Sequence, residues 1–216
     1  MSDKKAEVKF YPPLEEKLNI YSHGLGAILS FVALGLMLYK SFYFNNGVAQ
    51  IASLVYGLSM ITLYLASTLY HAEKNPKKRL KLKRFDHIAI YYLIAGTYTP
   101  FTLISLSGKT GWIIFAIVWS IALLGTILKI FFTGKFKLLS TLLYVAMGWV
   151  IIFVYPSLKD GLSNTGIDLI LAGGAAYTIG AVLYMIKAIK FNHAIFHICV
   201  LLGSLFHFLS IYYHVL

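Results

Sequence analysis

Residues 112–132 read WIIFAIVWSIALLGTILKIFF, a run of 21 residues in which Lys129 is the only charged side chain. An apolar run of this length can cross the hydrocarbon core of a bilayer as a helix. A backbone that crosses lipid must satisfy its own hydrogen bonds, so a helix is the expected structure. The stretch therefore predicts that lipid, rather than water, surrounds much of this chain.

Six further apolar runs resemble this one. The chain of 216 residues is 59% hydrophobic and 12% charged, whereas a soluble domain carries about 25% charged residues. Turn-forming pairs such as Asn46-Gly47 and Asp160-Gly161 separate the runs. The predicted spans are 19–43, 48–71, 86–106, 112–132, 138–158, 167–187 and 193–214. We therefore expect an all-α bundle of seven transmembrane helices at 19–216, preceded by a cytoplasmic N-terminal segment at 1–18.

Lysine and arginine are unevenly divided between the two sides of this bundle. Of the 19 such residues, 16 fall on the side of the N-terminus, and the other side holds Lys40, Lys109 and Lys159. Because basic residues concentrate in cytoplasmic loops, we expect a cytoplasmic N-terminus and an extracytoplasmic C-terminus. The net charge of +11 arises from these loops and not from a folded basic face, which argues against nucleic acid as a partner.

The densest basic stretch, Lys77–Arg84, lies between the second and third predicted spans. We interpret it as a solvated loop that sets the topology of the chain. A binding site for anionic lipid headgroups is the alternative interpretation.

Ionisable side chains within the predicted spans gather at one membrane level. His193 and His197 open the seventh span four residues apart, so they share a helix face. His71 ends the second span, one helical turn after Ser67, and Asp86 opens the third span. With the N-terminus inside the cell, all five residues lie at the cytoplasmic ends of their helices.

Three imidazole groups with one open coordination position are a common arrangement for catalytic zinc. Two alternatives stay open: the histidines only form hydrogen bonds between helices, or they bind another metal that imidazole suits. His207 lies about 15 Å further along its helix, too far to share the ion, and we expect a buried hydrogen-bonding role for it.

Glu16, Asn19 and His23 are spaced as one helix face near the same level. We expect them to cap and pack the entry of the first span rather than to bind the metal. Asp86 is also a candidate N-cap for the third span.

These residues lie in four motifs that resemble the hemolysin III family, in order along nearly the whole chain. The motifs are Glu16…Asn19…His23, then Ser67-Thr68-Leu69-Tyr70-His71, then Arg84-Phe85-Asp86-His87 leading to Ala95-Gly96-Thr97-Tyr98-Thr99-Pro100-Phe101, and finally His193-Ala194-Ile195-Phe196-His197 through Gly203-Ser204-Leu205-Phe206-His207-Phe208. That family belongs with the progestin and adiponectin receptors in a larger superfamily of seven-helix membrane proteins.

The resemblance implies one zinc ion per chain, held by His71, His193 and His197. It also implies that Asp86 reaches the ion through a water molecule and that Ser67 occupies the serine position of the family. Adiponectin receptors are regarded as ceramide-cleaving hydrolases, and bacterial members are associated with membrane lipid homeostasis. The short chain resembles a bacterial member, located in the plasma membrane.

We therefore expect a zinc-dependent hydrolase that acts on a lipid amide or ester, with membrane lipids as its partners. In this hypothesis Asp86 is the general base and Ser67 donates a hydrogen bond to the oxyanion. One alternative is a pore-forming or haemolytic protein, although polar residues at a single membrane level argue against a wide channel. The other is a non-catalytic sensor in which zinc only ties helices together.

Overall fold

The structure is a computed structural model that describes residues 8–106, 108–132 and 137–216. All regular structure within these ranges is helical. The helices are α1 (Pro13–Tyr43), α2 (Gly47–Ala72), α3 (Pro76–Pro100), α4 (Gly108–Phe132), α5 (Lys137–Gly148), α6 (Tyr155–Gly161), α7 (Asn164–Met185) and α8 (Asn192–Ser210). Short π-helical turns extend α3 and α8, and a 3-10 segment, Trp149–Val154, joins α5 to α6.

Seven of these helical stretches in the described residues are long and apolar enough to cross a membrane. The fifth stretch combines α5, the 3-10 segment and α6. Large apolar side chains cover the outside of the bundle, as illustrated by Phe131 and Phe153, which are 72% and 86% exposed. Apolar surface this extensive is rare on soluble monomers but suits contact with lipid. The predicted all-α, seven-span architecture is confirmed.

Two helices begin well before the positions that the apolar runs predict. Helix α1 starts at Pro13 and α3 at Pro76, and in both a proline occupies the first turn, where its missing N–H group costs nothing. The Asn75 side chain caps α3 by accepting hydrogen bonds from the backbone N–H groups of Lys77 and Lys78. Asp86 lies inside α3, so its assignment as a candidate N-cap is wrong.

The basic stretch is part of α3 and is not a loop. Arg79 and Lys83 are 1% and 8% exposed, while Lys77, Lys78 and Lys81 are exposed. The interpretation of the whole stretch as solvated is therefore wrong for two of its residues. These two lie one helical turn apart and share the inner face of α3 with Asp86.

Helix α3 lies at the centre of the bundle, with 67% of its most apolar window buried. It packs against α2 and α4, while α1 packs against α2 and α8, and α7 packs against α8. This arrangement brings together the beginnings of α1, α3 and α8 and the end of α2. We call this part of the bundle the histidine end, because the three predicted histidine ligands lie there.

Candidate metal centre

Three histidines from two helices meet at the histidine end. His71 lies in the last turn of α2, and His193 and His197 lie in the first two turns of α8. Each offers one ring nitrogen, and the three nitrogens lie within 4.8 Å of one another. The Nε2 atom of His193 is 3.0 Å from that of His71 and 3.2 Å from that of His197.

This arrangement fits a metal ion. Two nitrogen ligands 2.0–2.1 Å from a tetrahedral zinc ion are themselves about 3.3 Å apart, close to the separations of the Nε2 atoms. All three side chains are buried, with exposed fractions of 8% or less. Three close histidines that could hold one metal ion are therefore present, as the sequence predicts.

The outward nitrogen of His71 contacts an acidic side chain on α1. Its Nδ1 atom lies 2.7 Å from Oε2 of Glu16. The other carboxylate oxygen of Glu16 accepts hydrogen bonds from the Arg79 guanidinium group and from the backbone N–H of Tyr11. A carboxylate that accepts the Nδ1–H group of a histidine leaves the Nε2 lone pair available for a metal. This contact also joins α1 to α2.

Arg79 is the buried cation that pairs with the Glu16 carboxylate. In addition to Glu16, it donates hydrogen bonds to the backbone carbonyl oxygens of Lys9, His71 and Glu73, at 3.2, 3.0 and 3.0 Å. Its guanidinium group therefore ties the segment before α1 to the end of α2. A planar group with five donors is well suited to this role.

The two histidines of α8 contact α1. Nδ1 of His197 lies 3.3 Å from the hydroxyl oxygen of Ser22, and the backbone N–H of His193 donates to Glu15 at 3.2 Å. Nδ1 of His193 is buried without a hydrogen-bond partner among the described residues. Helix α1 thus supports all three histidines.

Two aromatic rings stack on the same histidines. The ring of Tyr11 lies parallel to that of His193, with 4.6 Å between centroids, and the ring of His23 lies parallel to that of His197 at 3.6 Å. Burial raises the pKa of the Tyr11 hydroxyl group, so this group stays protonated. Both nitrogens of His23 are buried without a hydrogen-bond partner among the described residues.

The predicted capping role is wrong for Asn19 and His23, whereas Glu16 does accept the backbone N–H of Tyr11 just before α1. Pro12 is the N-cap of α1, and its side chain makes no capping hydrogen bond. Instead the three side chains face the histidines, and the Asn19 amide nitrogen lies 3.4 Å from Nδ1 of His71. The expected polar packing is present, but it supports the histidine cluster.

Asp86 and Ser67 lie close together on neighbouring helices. Asp86 is 8% exposed and Ser67 is 1% exposed, and the two side chains are close enough to interact. Both line one cavity together with His193 and His197. The structure thus places the predicted carboxylate and hydroxyl groups beside the histidine cluster.

The cavity has a volume of about 190 Å³ and runs into the bundle from the histidine end. Apolar residues such as Leu63, Leu93 and Val200 form its wall beyond Asp86. His207 lies further along the same cavity, and its Nε2 atom is 3.2 Å from the carbonyl oxygen of Ile170. His207 is thus remote from the cluster of three histidines and hydrogen-bonded, as predicted.

Sequence reasoning missed Tyr11, Ser22, Arg79, Lys83 and Lys129 as residues of this region. The spacing of Arg79 and Lys83 relative to Asp86 is a helical signal that could have revealed the buried pair. No comparable signal exists for Tyr11, which precedes its helix and contacts a residue of α8.

Comparisons with known proteins identify the family of this chain. The family model described as "Haemolysin-III related" matches residues 12–208. The chain is 46% identical to Hemolysin-3 of Bacillus cereus over 94% of this chain and 92% of the relative. It is 43% identical to the Hemolysin-3 homolog of Bacillus subtilis over 88% and 89%. It is also 25% identical to the human monocyte to macrophage differentiation factor over 92% and 83%.

The matches extend over the motifs that carry the three histidines and Asp86. Seven apolar helices and close bacterial relatives indicate a multi-pass protein of the bacterial cell membrane. On these grounds, the chain belongs to the haemolysin-III related family.

Proposed function

We propose that this protein is a zinc-dependent hydrolase that cleaves an amide or ester bond of a lipid within the membrane. The observation that carries the proposal is the shared cavity. One cavity with apolar walls is lined by two of the three clustered histidines, the Asp86 carboxyl group and the Ser67 hydroxyl group. Such a space suits an acyl chain better than a soluble metabolite.

His71, His193 and His197 would hold the ion. Bound zinc supplies a Lewis acid that polarises a carbonyl group and lowers the pKa of water to about 7. Asp86 would accept the proton of the attacking water and later return it to the departing amine or alcohol. The products are a free fatty acid and the headgroup amine or alcohol, so atoms balance without a further reactant.

The contact between Ser67 and Asp86 refines the role that the sequence suggests for the serine. A hydroxyl group has one proton to donate. If Ser67 donates it to the Asp86 carboxylate, it cannot also donate to an oxyanion. We therefore assign Ser67 the role of orienting Asp86.

The test is fatty-acid release by the purified, zinc-loaded protein in lipid. Ceramides, acylated amines and phospholipids are supplied, and released fatty acid is measured by mass spectrometry. Asp86→Asn should lower release by about 10² or more, the scale of a lost general base, while keeping its zinc. Asp168→Asn is the matched control, because Asp168 is exposed on α7. Equal release from all three proteins, or none across the panel, would refute the hydrolase.

Two other functions compete with this one. A structural role for zinc, in which Asp86 only supports the surroundings of the ion, predicts that Asp86→Asn leaves fatty-acid release unchanged, since the ion would only join α2 to α8. A pore needs a polar lining across the bilayer, but Leu63, Leu93 and Val200 interrupt the polar wall of the cavity in the described residues. The geometry therefore favours the hydrolase.

A further inference from the structure

The far end of the cavity carries polar side chains of its own. Tyr177 of α7 and His207 of α8 line it there, with 5.5 Å between their ring centroids. His207 follows His197 by ten residues of the same helix, which places it about 15 Å from the histidine cluster. Leu63 and Val200 belong to the wall between the two ends. The cavity therefore has polar groups at both ends and an apolar stretch between them.

Two glycines hold these rings close to the opposite helix. The ring of Tyr177 packs on Gly203 of α8, and the ring of His207 packs on Gly173 of α7. A Cβ atom added to Gly203 would lie 2.6 Å from the Tyr177 ring, and one added to Gly173 would collide with the His207 ring. Since neither glycine has a side chain, each ring lies against a helix backbone, and close packing on both sides fixes the pair in place.

The hydroxyl groups around Tyr177 leave one proton available. The Tyr64 hydroxyl group donates to Oγ of Ser204 at 2.6 Å, the shorter of its two hydrogen bonds. Oγ of Ser204 lies 2.8 Å from the Tyr177 hydroxyl oxygen. Each hydroxyl group has one proton, so these two hydrogen bonds use two of the three protons. Ser204 is buried whereas Tyr177 lines the cavity, so the remaining proton is better placed on Tyr177, where a ligand can accept it.

His207 supplies an acceptor next to this donor. Its Nε2 atom lies 3.2 Å from the carbonyl oxygen of Ile170, so Nε2 carries the ring proton and donates it. A neutral imidazole has one N–H group and one lone pair, which places the lone pair on Nδ1. The Nδ1 atom is buried and has no hydrogen-bond partner among the described residues. A buried acceptor without a donor is costly, which indicates that a bound molecule donates to it.

A single hydroxyl group satisfies both side chains. Its oxygen can accept the proton of Tyr177, and its own proton can be donated to Nδ1 of His207. A carboxylate has no proton to donate, and an ammonium group has no lone pair with which to accept. The cavity volume of about 190 Å³ is far larger than the roughly 10–15 Å³ that one water molecule needs. The space therefore suits a hydroxyl group that is part of a longer apolar molecule.

We propose that Tyr177 and His207 form a subsite for a hydroxyl group on the acyl chain of the lipid that enters this cavity. Three covalent bonds of an extended chain span about 3.3–3.6 Å, so the distance of about 15 Å corresponds to about twelve or thirteen bonds. The ligand is then an acyl amphiphile with a hydroxyl group far along its chain. This inference rests on the proposed function for the position of the cleaved bond, whereas recognition of the hydroxyl group is independent of cleavage.

The test compares lipids that differ only in the hydroxyl group of the chain. N-(12-hydroxystearoyl)ethanolamine places this group at the subsite, and N-(6-hydroxystearoyl)ethanolamine places it against the apolar wall. N-stearoylethanolamine is the reference without a chain hydroxyl group. Binding to the purified, zinc-loaded, full-length protein is measured in a neutral detergent. We expect the 12-hydroxy lipid to bind about tenfold more tightly than the other two, because only its hydroxyl group forms two hydrogen bonds in the buried subsite.

Variants assign this preference to the two side chains. Tyr177→Phe removes the donor and His207→Phe removes the acceptor, and each should abolish the preference. Tyr39→Phe and His214→Phe are the matched controls, because neither residue is among those that line the cavity in the described part of the chain. Both controls should keep the preference. The affinity for N-stearoylethanolamine should match that of the parent in Tyr177→Phe, which shows that its cavity is intact.

Two results would overturn the proposal. Equal affinities of the parent for all three lipids would show that the subsite holds only a water molecule. A preference that survives in both Tyr177→Phe and His207→Phe would show that other residues recognise the hydroxyl group.

The outcomes for the subsite and for the hydrolase are separable. A preference for the 12-hydroxy lipid that depends on Tyr177 and His207, without fatty-acid release from any lipid, supports the subsite and refutes the hydrolase. Release of stearic acid by a protein that binds the three lipids equally supports the hydrolase and refutes the subsite.

Discussion

The carboxylate of Glu16 lies 2.7 Å from Nδ1 of His71, although 55 residues separate them in the chain. The contact turns the Nε2 atom of His71 towards His193, which lies on a third helix. Glu16 is in turn held by Arg79 from α3. Four helices therefore determine where one imidazole nitrogen points, and each contributes a named side chain.

Replacing Glu16 should weaken zinc binding without removing a ligand. Glu16→Gln removes the charged acceptor of the Nδ1–H group of His71, so we expect zinc affinity to fall about tenfold or more. Competition with a chromophoric chelator measures this change. Glu15→Gln is the matched control, because its amide oxygen can still accept from the backbone N–H of His193. Equal affinities in the two variants would contradict the orienting role of Glu16.

Replacing Arg79 should destabilise the fold. Arg79→Gln leaves the buried carboxylate of Glu16 without its cation and removes donors from three backbone carbonyl groups. Removing one partner of a buried ion pair costs about 3–5 kcal/mol in the free energy of unfolding. Denaturant unfolding in detergent measures the loss. Lys78→Gln is the control, because it removes a charge from an exposed position one residue earlier, and it should unfold like the parent. Equal free energies of unfolding in the two variants would contradict the stabilising role of Arg79.

The orientation of the bundle is a prediction from the distribution of basic residues. Phe44 lies between α1 and α2, and Lys78 lies near the start of α3, and both are exposed. Single cysteines at these positions, in a Cys199→Ser background, are treated with an impermeant thiol reagent on intact cells. We expect labelling at position 44 and none at position 78. The opposite pattern would place the histidine end outside the cell.

Much of the architecture follows from the sequence because lipid leaves a spanning chain few options. Each apolar run must be helical, so residues 112–132 fall within α4 as predicted. The spacing of His193 and His197 likewise places them on one face of α8. The distribution of basic residues places the end of the second span at the same membrane level as the start of the seventh, which predicts that His71 lies near these two histidines. The family resemblance adds that the three hold one ion.

The remaining details depend on how the helices are rotated against one another. Hydropathy averages over all faces of a helix, so the charged stretch before Asp86 indicates a solvated loop. The structure shows that Arg79 and Lys83 face inward while their neighbours face outward. The stacking of Tyr11 on His193 depends on the path of the chain before Pro13, and no periodic pattern describes that path.

The histidine cluster as a zinc site is the central claim, and the zinc content of the purified protein tests it most directly. Elemental analysis should find about one zinc ion per chain, the number that one cluster of three imidazole ligands holds. His71→Ala, His193→Ala and His197→Ala should each lose most of this zinc. His207→Ala should keep it, since its ring is hydrogen-bonded to Ile170 away from the cluster. Full zinc content in His193→Ala and His197→Ala would contradict the account.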